Sequence, residues 1–149
     1  MDLVLLKQII ARYEGANFLV NRRLNAMIRE QLPNELTLDQ FATLRYIRSQ
    51  EKSTSSELAD IFCVGRSSIT AIINRLFDKK LIQRMQGEKD RRVTYLTLTE
   101  EGKQMNDKME EKIHEILSHF IQYFDEQEAL TFIETFEKLA EVMSNRSDI

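Results

Sequence analysis

Residues 87–99, GEKDRRVTYLTLT, set a tight polar turn before an alternating strand, and this stretch limits the folds open to the chain more than any other. The turn is expected at about Gly87–Asp90, with one strand before it at about Ile82–Met85 and one after it at about Arg92–Thr97. In the second strand Val93, Tyr95 and Thr97 fall on one face, and Thr94, Leu96 and Leu98 on the other. A helical run from Arg66 to about Lys80 precedes the hairpin, and long helices follow it. One small hairpin among helices makes the chain mainly α, in the α+β sense.

The remaining elements declare themselves through punctuation. Residues 3 to about 31 hold no proline, and Leu6, Ile9, Ile10, Tyr13, Val20, Leu24, Met27 and Ile28 recur at helical spacing, with Asn17 the polar exception. Pro33 ends that helix, since it lacks an amide hydrogen and disfavours helix at the residue before it. Thr37 and Gln40 form a capping box ahead of a helix to about Ser49 that buries Phe41, Leu44 and Ile47. Thr54 and Glu57 form a second box, opening a short helix with Leu58 and Ile61 inward, and Gly65 is expected to make the turn that follows. Thr99 caps a further helix whose Glu100 and Glu101 suit the positive end of its dipole. Asp125 and Glu128 make a third box, before a helix with Leu130, Phe132, Ile133, Phe136, Leu139 and Val142 as its apolar positions.

At 149 residues, 42% hydrophobic and 30% charged, the chain is expected to form one soluble domain, 1–149. No apolar run approaches the roughly 18 residues that span a bilayer, and the N-terminus has no signal-peptide pattern. One cysteine and no disulfide framework fit a reducing, cytoplasmic location. The net charge of −3 is unevenly spread. Residues 1–36 carry five basic and four acidic side chains, residues 37–99 eleven and seven, and residues 100–149 five and thirteen. A basic middle and an acidic C-terminal third give one surface attracted to phosphate and another held away from it.

The helix from Arg66 sharpens that expectation. Ile69, Ile72, Ile73 and Leu76 make a buried stripe, which leaves Arg66, Ser67, Thr70, Ala71 and Asn74 on the opposite side. Small hydroxyl and amide side chains can approach base edges closely. The hairpin after it places Lys89, Arg91 and Arg92 at or beside its tip. A helix of this kind followed at once by a basic hairpin is the layout of a winged helix-turn-helix, in which the helix enters a major groove and the hairpin reaches to phosphates or the minor groove. Ser68 leans toward the flank, and Arg75 is open to two readings, DNA contact or a pair with Asp78 or another acid. Thr54, Ser55 and Ser56 begin a helix whose free amides can hold a phosphate, although capping alone explains Thr54.

Leu38-Asp-Gln-Phe41, Ser56-Glu-Leu-Ala59, Ser67-Ser-Ile-Thr70, Asn74-Arg-Leu76, Leu81-Ile82, Asp90-Arg-Arg92 and Leu98-Thr99 together resemble the MarR family of bacterial transcriptional regulators. The family's hairpin signature is Asp-x-Arg followed by an apolar strand ending Leu-Thr, and DRRVTYLTLT is similar throughout. The resemblance implies a homodimer whose terminal helices, 1–36 and 100–149, intertwine around two winged units, 37–99. It makes the helix from Arg66 the recognition helix, with Arg66, Ser67, Ser68, Thr70 and Asn74 near bases and phosphates. It sends Arg92 into the minor groove, steadied by Asp90 through a charge-assisted pair. The implied partners are double-stranded DNA, a second copy of the chain and a small-molecule effector, with no cofactor. The implied activity is repression at a pseudo-palindromic operator, relieved by a ligand that shifts the spacing of the two reading heads. One departure is Gly65, which stands where a serine-like cap is common; glycine caps nearly as well.

Two other classes compete with this one. A winged-helix module for protein contact without DNA would have a hairpin poor in basic residues, unlike Lys89, Arg91 and Arg92. An enzyme finds little support, with no glycine-rich phosphate loop, no metal-ligand cluster and only two histidines, five apart and so about 140° around a helix. Cys63, inside the apolar run Ile61 to Val64, is expected to be a buried packing thiol. Tyr13, Phe18, Phe41 and Tyr46 are conceivable pocket residues, with plain core the alternative.

Overall fold

The computed structural model describes residues 1–33 and 35–145, so residues 146–149 of the expected C-terminal dimerisation segment lie outside the described residues. The chain divides into two compact units, Met1–Lys112 and Ile113–Ile149. The first holds α1 (Leu3–Gln31), α2 (Leu38–Gln50), α3 (Ser55–Ile61), α4 (Arg66–Asp78), β1 (Ile82–Gln86), β2 (Thr94–Leu98) and the first turns of α5 (Glu100–Ile121). The second holds the rest of α5 and α6 (Glu126–Ser144).

The capping signals act where the sequence places them. Thr37 Oγ1 accepts from the Gln40 amide while Gln40 Oε1 accepts from the Thr37 amide, and Thr54 with Glu57 repeats the arrangement. The Asp2 carboxylate caps α1, whose last residue, Gln31, lies two before Pro33. Behind these caps, Phe41, Leu44 and Ile47 of α2, Leu58 of α3, and Ile69, Ile73 and Leu76 of α4 are buried with Ile82, Leu96 and Leu98 of the hairpin. Ile72 is only half-buried. Ile61 corrects the expected pattern outright: it is 54% exposed, because α3 ends at that residue and the chain turns away.

Both turns at the ends of α3 and α4 close in the same way. The Cys63 amide donates to the Asp60 carbonyl and the Val64 amide to Ala59, both at 3.1 Å. The Lys80 and Leu81 amides repeat this on Phe77 and Leu76. Each is a Schellman closure with its left-handed residue at Cys63 (φ 53°) and Lys80 (φ 59°). The turn before α4 is therefore made by Cys63 and not by Gly65, whose φ of −70° is open to any residue. The same geometry overturns the expected burial of Cys63, which is exposed. It also ends α4 at Asp78, short of Lys80.

The hairpin is antiparallel, pairing Ile82 with Leu98, Arg84 with Leu96 and Gln86 with Thr94. β1 starts at Ile82 as expected but runs one residue further, and β2 starts and stops later than the alternation suggests, because Arg92 and Val93 stay in the turn, held by hydrogen bonds to Asp90. A contact that the sequence does not announce anchors its base: Ser53 exchanges both backbone hydrogen bonds with Leu96, at 3.0 and 2.7 Å. Thr99 ties the outgoing strand to the end of α4, donating its hydroxyl to the Lys80 carbonyl at 2.7 Å and its amide to Leu81 at 3.0 Å.

In the second unit the Asp125–Glu128 box opens α6 as expected. Phe132 and Phe136 stack one turn apart, yet no residue of α6 is buried. Among the described residues no helix is long and apolar enough to cross a membrane.

Candidate nucleic-acid interface

α4 presents its outer face as the amphipathic pattern requires. With Ile69, Ile73 and Leu76 inward, Arg66, Ser67, Ser68, Thr70, Asn74 and Arg75 are all exposed. Among the described residues Arg66 and Arg75 form no ion pair, so the alternative pairing of Arg75 with Asp78 is not made. The Thr70 hydroxyl donates to the Arg66 carbonyl at 2.7 Å. Its proton is thus committed to the helix, and what remains outward is an acceptor and a methyl group. Ser55 and Ser56 lie exposed in the first turn of α3, next to the Thr54 cap.

At the hairpin tip, Asp90 organises its neighbours. One carboxylate oxygen accepts from the Arg92 backbone amide at 3.0 Å and from Arg92 Nε at 3.1 Å; the other accepts from Arg92 Nη2 at 3.2 Å. This fork holds the Asp90 carboxyl below the usual carboxylate range, through the side-chain hydrogen bonds first and the backbone one second. The Arg92 side chain is nevertheless 90% exposed, so its direction is fixed while its outer edge stays open. Lys89 and Arg91 flank it, exposed and without ion-pair partners among the described residues. Gly87 makes the tight return possible: a Cβ there would lie 2.5 Å from the Asp90 carbonyl oxygen.

Arg84 escaped the sequence reading. Its guanidinium lies 4.0 Å from the centre of the Phe77 ring, joining β1 to the last turn of α4. Lys52 sits likewise over Tyr95, at 4.4 Å. Both are aromatic–cation contacts across elements, and no local spacing signals them.

A separate feature of the first unit is a cleft of about 960 Å³ lined by α1, α2, the end of α3 and α5. Phe41 and Tyr46 line it, with Phe62 edge-on to Tyr46 at 6.0 Å. Tyr13 and Phe18 do not, and neither is core: both are exposed on α1. Two arginines of α2 close one wall by forking onto α5, Arg45 on Glu110 and Arg48 on Asp107. His114 and His119 are exposed on α5, and no metal-binding cluster of acids, histidines or cysteine exists among the described residues.

A family model described as the MarR family matches residues 36–94, which span α2 through the first residue of β2. YpoP of Bacillus subtilis, an uncharacterized HTH-type transcriptional regulator, is 32% identical over 120 residues, covering 80% of this chain and 85% of its own. The chain belongs to the MarR family. Its membership makes it a transcriptional regulator of the helix-turn-helix type and not an enzyme. MdtR, an HTH-type transcriptional repressor of B. subtilis, is 30% identical over 118 residues, 77% of this chain and 74% of its own. Two solved structures share the fold. A MarR family protein from Bacillus stearothermophilus superposes with a TM-score of 0.79 at 22% identity, covering 93% of this chain and 98% of its own. Streptococcus pneumoniae FabT, solved in complex with DNA, gives 0.76 at 20% identity with the same coverage.

Proposed function

We propose that this MarR-family chain is a cytoplasmic repressor that binds a pseudo-palindromic operator as a homodimer and is released by a small-molecule effector. The observation that carries the DNA contact is the forked Asp90–Arg92 pair at the hairpin tip, which orients an exposed, always-charged group. On this reading Arg66, Ser67, Thr70 and Asn74 meet base edges in the major groove, with Ser55, Ser56, Ser68, Arg75, Lys89 and Arg91 on phosphates. Arg92 enters the minor groove. Support comes from relatives: MdtR is named a repressor, and FabT was solved with DNA.

The homodimer rests on unpartnered apolar surface. Leu6, Ile9, Ile10 and Val20 of α1 and Phe132, Ile133, Phe136 and Val142 of α6 are exposed in the single chain. Apolar surface on this scale marks an interaction face. The whole of 1–149 then acts as one domain, its terminal helices shared between copies. The effector reading rests on the cleft beside α2, whose occupation would bias the setting of the reading heads.

The test is binding selection from a randomised duplex pool with the purified protein. Two symmetric half-sites should emerge, centred one helical turn apart at roughly 34–36 Å. With about 6–10 phosphate contacts per dimer, affinity should fall about 10³–10⁵-fold between about 50 and 200 mM salt. No selected sequence, together with binding that ignores salt, would leave a protein-contact module in place of the repressor.

A further inference from the structure

A helix seated in a major groove and a hairpin tip in the adjoining minor groove have one sugar–phosphate strand between them, because neighbouring grooves share a backbone. A side chain held between α4 and the tip is therefore placed to meet that strand. The hairpin register says which side chain it is. Ile82 pairs with Leu98 and Arg84 with Leu96, so these four share one face, while Met85, Tyr95 and Thr97 lie on the other. Ile82, Leu96 and Leu98 are buried, which makes theirs the face turned toward the helices. Arg84, nearer the tip on that face, is exposed.

The guanidinium of Arg84 lies 4.0 Å from the centre of the Phe77 ring. At about 100° per residue, Arg66, Thr70 and Phe77 fall within about 40° of one another around α4. Phe77 thus holds Arg84 against the flank of α4 that also carries two residues proposed to meet bases.

This arginine is otherwise unused. It forms no ion pair among the described residues. Gln86, the next residue on the same face, has its side-chain amide donated to the Arg91 carbonyl at 2.9 Å. A guanidinium stacked on a ring uses its flat face, and its N–H donors stay free at the edge. That edge matches a phosphate, which accepts parallel hydrogen bonds from it.

We propose that Arg84 is a phosphate contact on the strand between the two grooves, and that Phe77 positions it there. The inference rests on the DNA reading of α4 and the hairpin tip, and adds a residue which that reading does not use. Lys52 supplies the contrast. It too is an exposed cation over an aromatic ring, but its partner Tyr95 belongs to the opposite face of the hairpin.

The full-length protein would be titrated by fluorescence anisotropy against a labelled randomised duplex pool between about 50 and 200 mM salt, since a phosphate contact is indifferent to sequence. Arg84→Gln should weaken binding roughly 10–100-fold and flatten the slope of log affinity against log salt by about 1.8, or about 0.9 per protomer of the proposed dimer. Arg84→Lys keeps the charge and should keep the slope, losing roughly 2–10-fold in affinity because an ammonium cannot form the planar fork. Phe77→Leu should cost roughly 2–10-fold in the natural chain and no more than about 2-fold beside Arg84→Gln, as a residue acting through the arginine must. Lys52→Gln should change affinity by no more than about 2-fold and leave the slope unchanged.

Natural affinity and slope in Arg84→Gln, or an equal loss of slope in Lys52→Gln, would overturn the assignment of Arg84. Additive losses from Phe77→Leu and Arg84→Gln would overturn the positioning role. If Phe77→Leu fails to fold, the Arg84 and Lys52 variants, all at exposed positions, decide the phosphate contact. A natural chain that binds no duplex even at about 50 mM salt overturns the DNA reading and this inference with it. A natural chain that binds, with Arg84→Gln binding equally well, overturns the role of Arg84 alone.

Discussion

The winged unit and α6 are written in the same amphipathic language and end in opposite conditions. In α4 the stripe Ile69, Ile73, Leu76 disappears beneath α2, α3 and the hairpin. In α6 the equivalent stripe Leu130, Ile133, Phe136 stays exposed, as do Leu6, Ile9 and Ile10 of α1. Periodicity says which face of a helix seeks cover; it does not say whether the cover belongs to the same chain. One region is a finished core and the other is an apolar face left uncovered in the single chain.

The strongest way to break that contrast is a charge on the uncovered side. Ile133→Glu should raise the dissociation constant of the proposed dimer roughly 10²–10⁴-fold, as a buried unpaired charge costs about 3–5 kcal/mol, and sedimentation should shift from a species of twice 17.6 kDa toward the single chain. A wild-type protein that sediments as a folded monomer at low micromolar concentration would remove the contrast altogether. Next in size is the hairpin tip. Arg92→Ala should weaken binding to most duplexes by about 1–3 kcal/mol with slight change in preference, since the minor groove distinguishes little beyond A·T from G·C. Asp90→Ala should give a milder version of the same loss, and Thr70→Ala and Ser67→Ala should instead change the preferred base at symmetric operator positions. Selection from random duplexes with each variant separates the two behaviours.

Smaller still are the two left-handed turns. Cys63→Gly and Lys80→Gly relieve a side chain held at positive φ, and each should stabilise the winged unit by about 1 kcal/mol in denaturant unfolding. The smallest effect is with pH. The Asp90 carboxyl titrates below its ordinary value, so its hold on Arg92 is complete above the ordinary carboxylate range and is lost only as pH falls through the depressed value. The Arg92 contribution to DNA affinity, measured against Arg92→Ala, should therefore be flat between about pH 5 and 8.

What could be read in advance was local. The three capping boxes and Pro33 lie within a few residues of what they control, so helix boundaries followed from spacing alone. Asp90 and Arg92 are also only two apart, but their pairing was implied by the resemblance to the MarR family and not by spacing. Cys63 misled because the apolar run around it resembles core, while the usual sign of a left-handed turn, glycine, stood two residues later at Gly65. Ser53 reaches Leu96 across more than forty residues through backbone groups that every residue possesses, so no side chain could announce it.

The Ser53 bridge has a mechanical side. It welds the link between α2 and α3 to the strand that carries the hairpin outward, while Thr99 welds that strand's far end to the close of α4. With both contacts in place, the base of the hairpin is tied to the helices on either side of it. In the homodimer proposed above, an operator that fits the distance from α4 to Arg92 in one protomer fits it in both, and the adjustable dimension is the gap between the two copies. On the same proposal an effector beside α2 acts most economically by changing that gap.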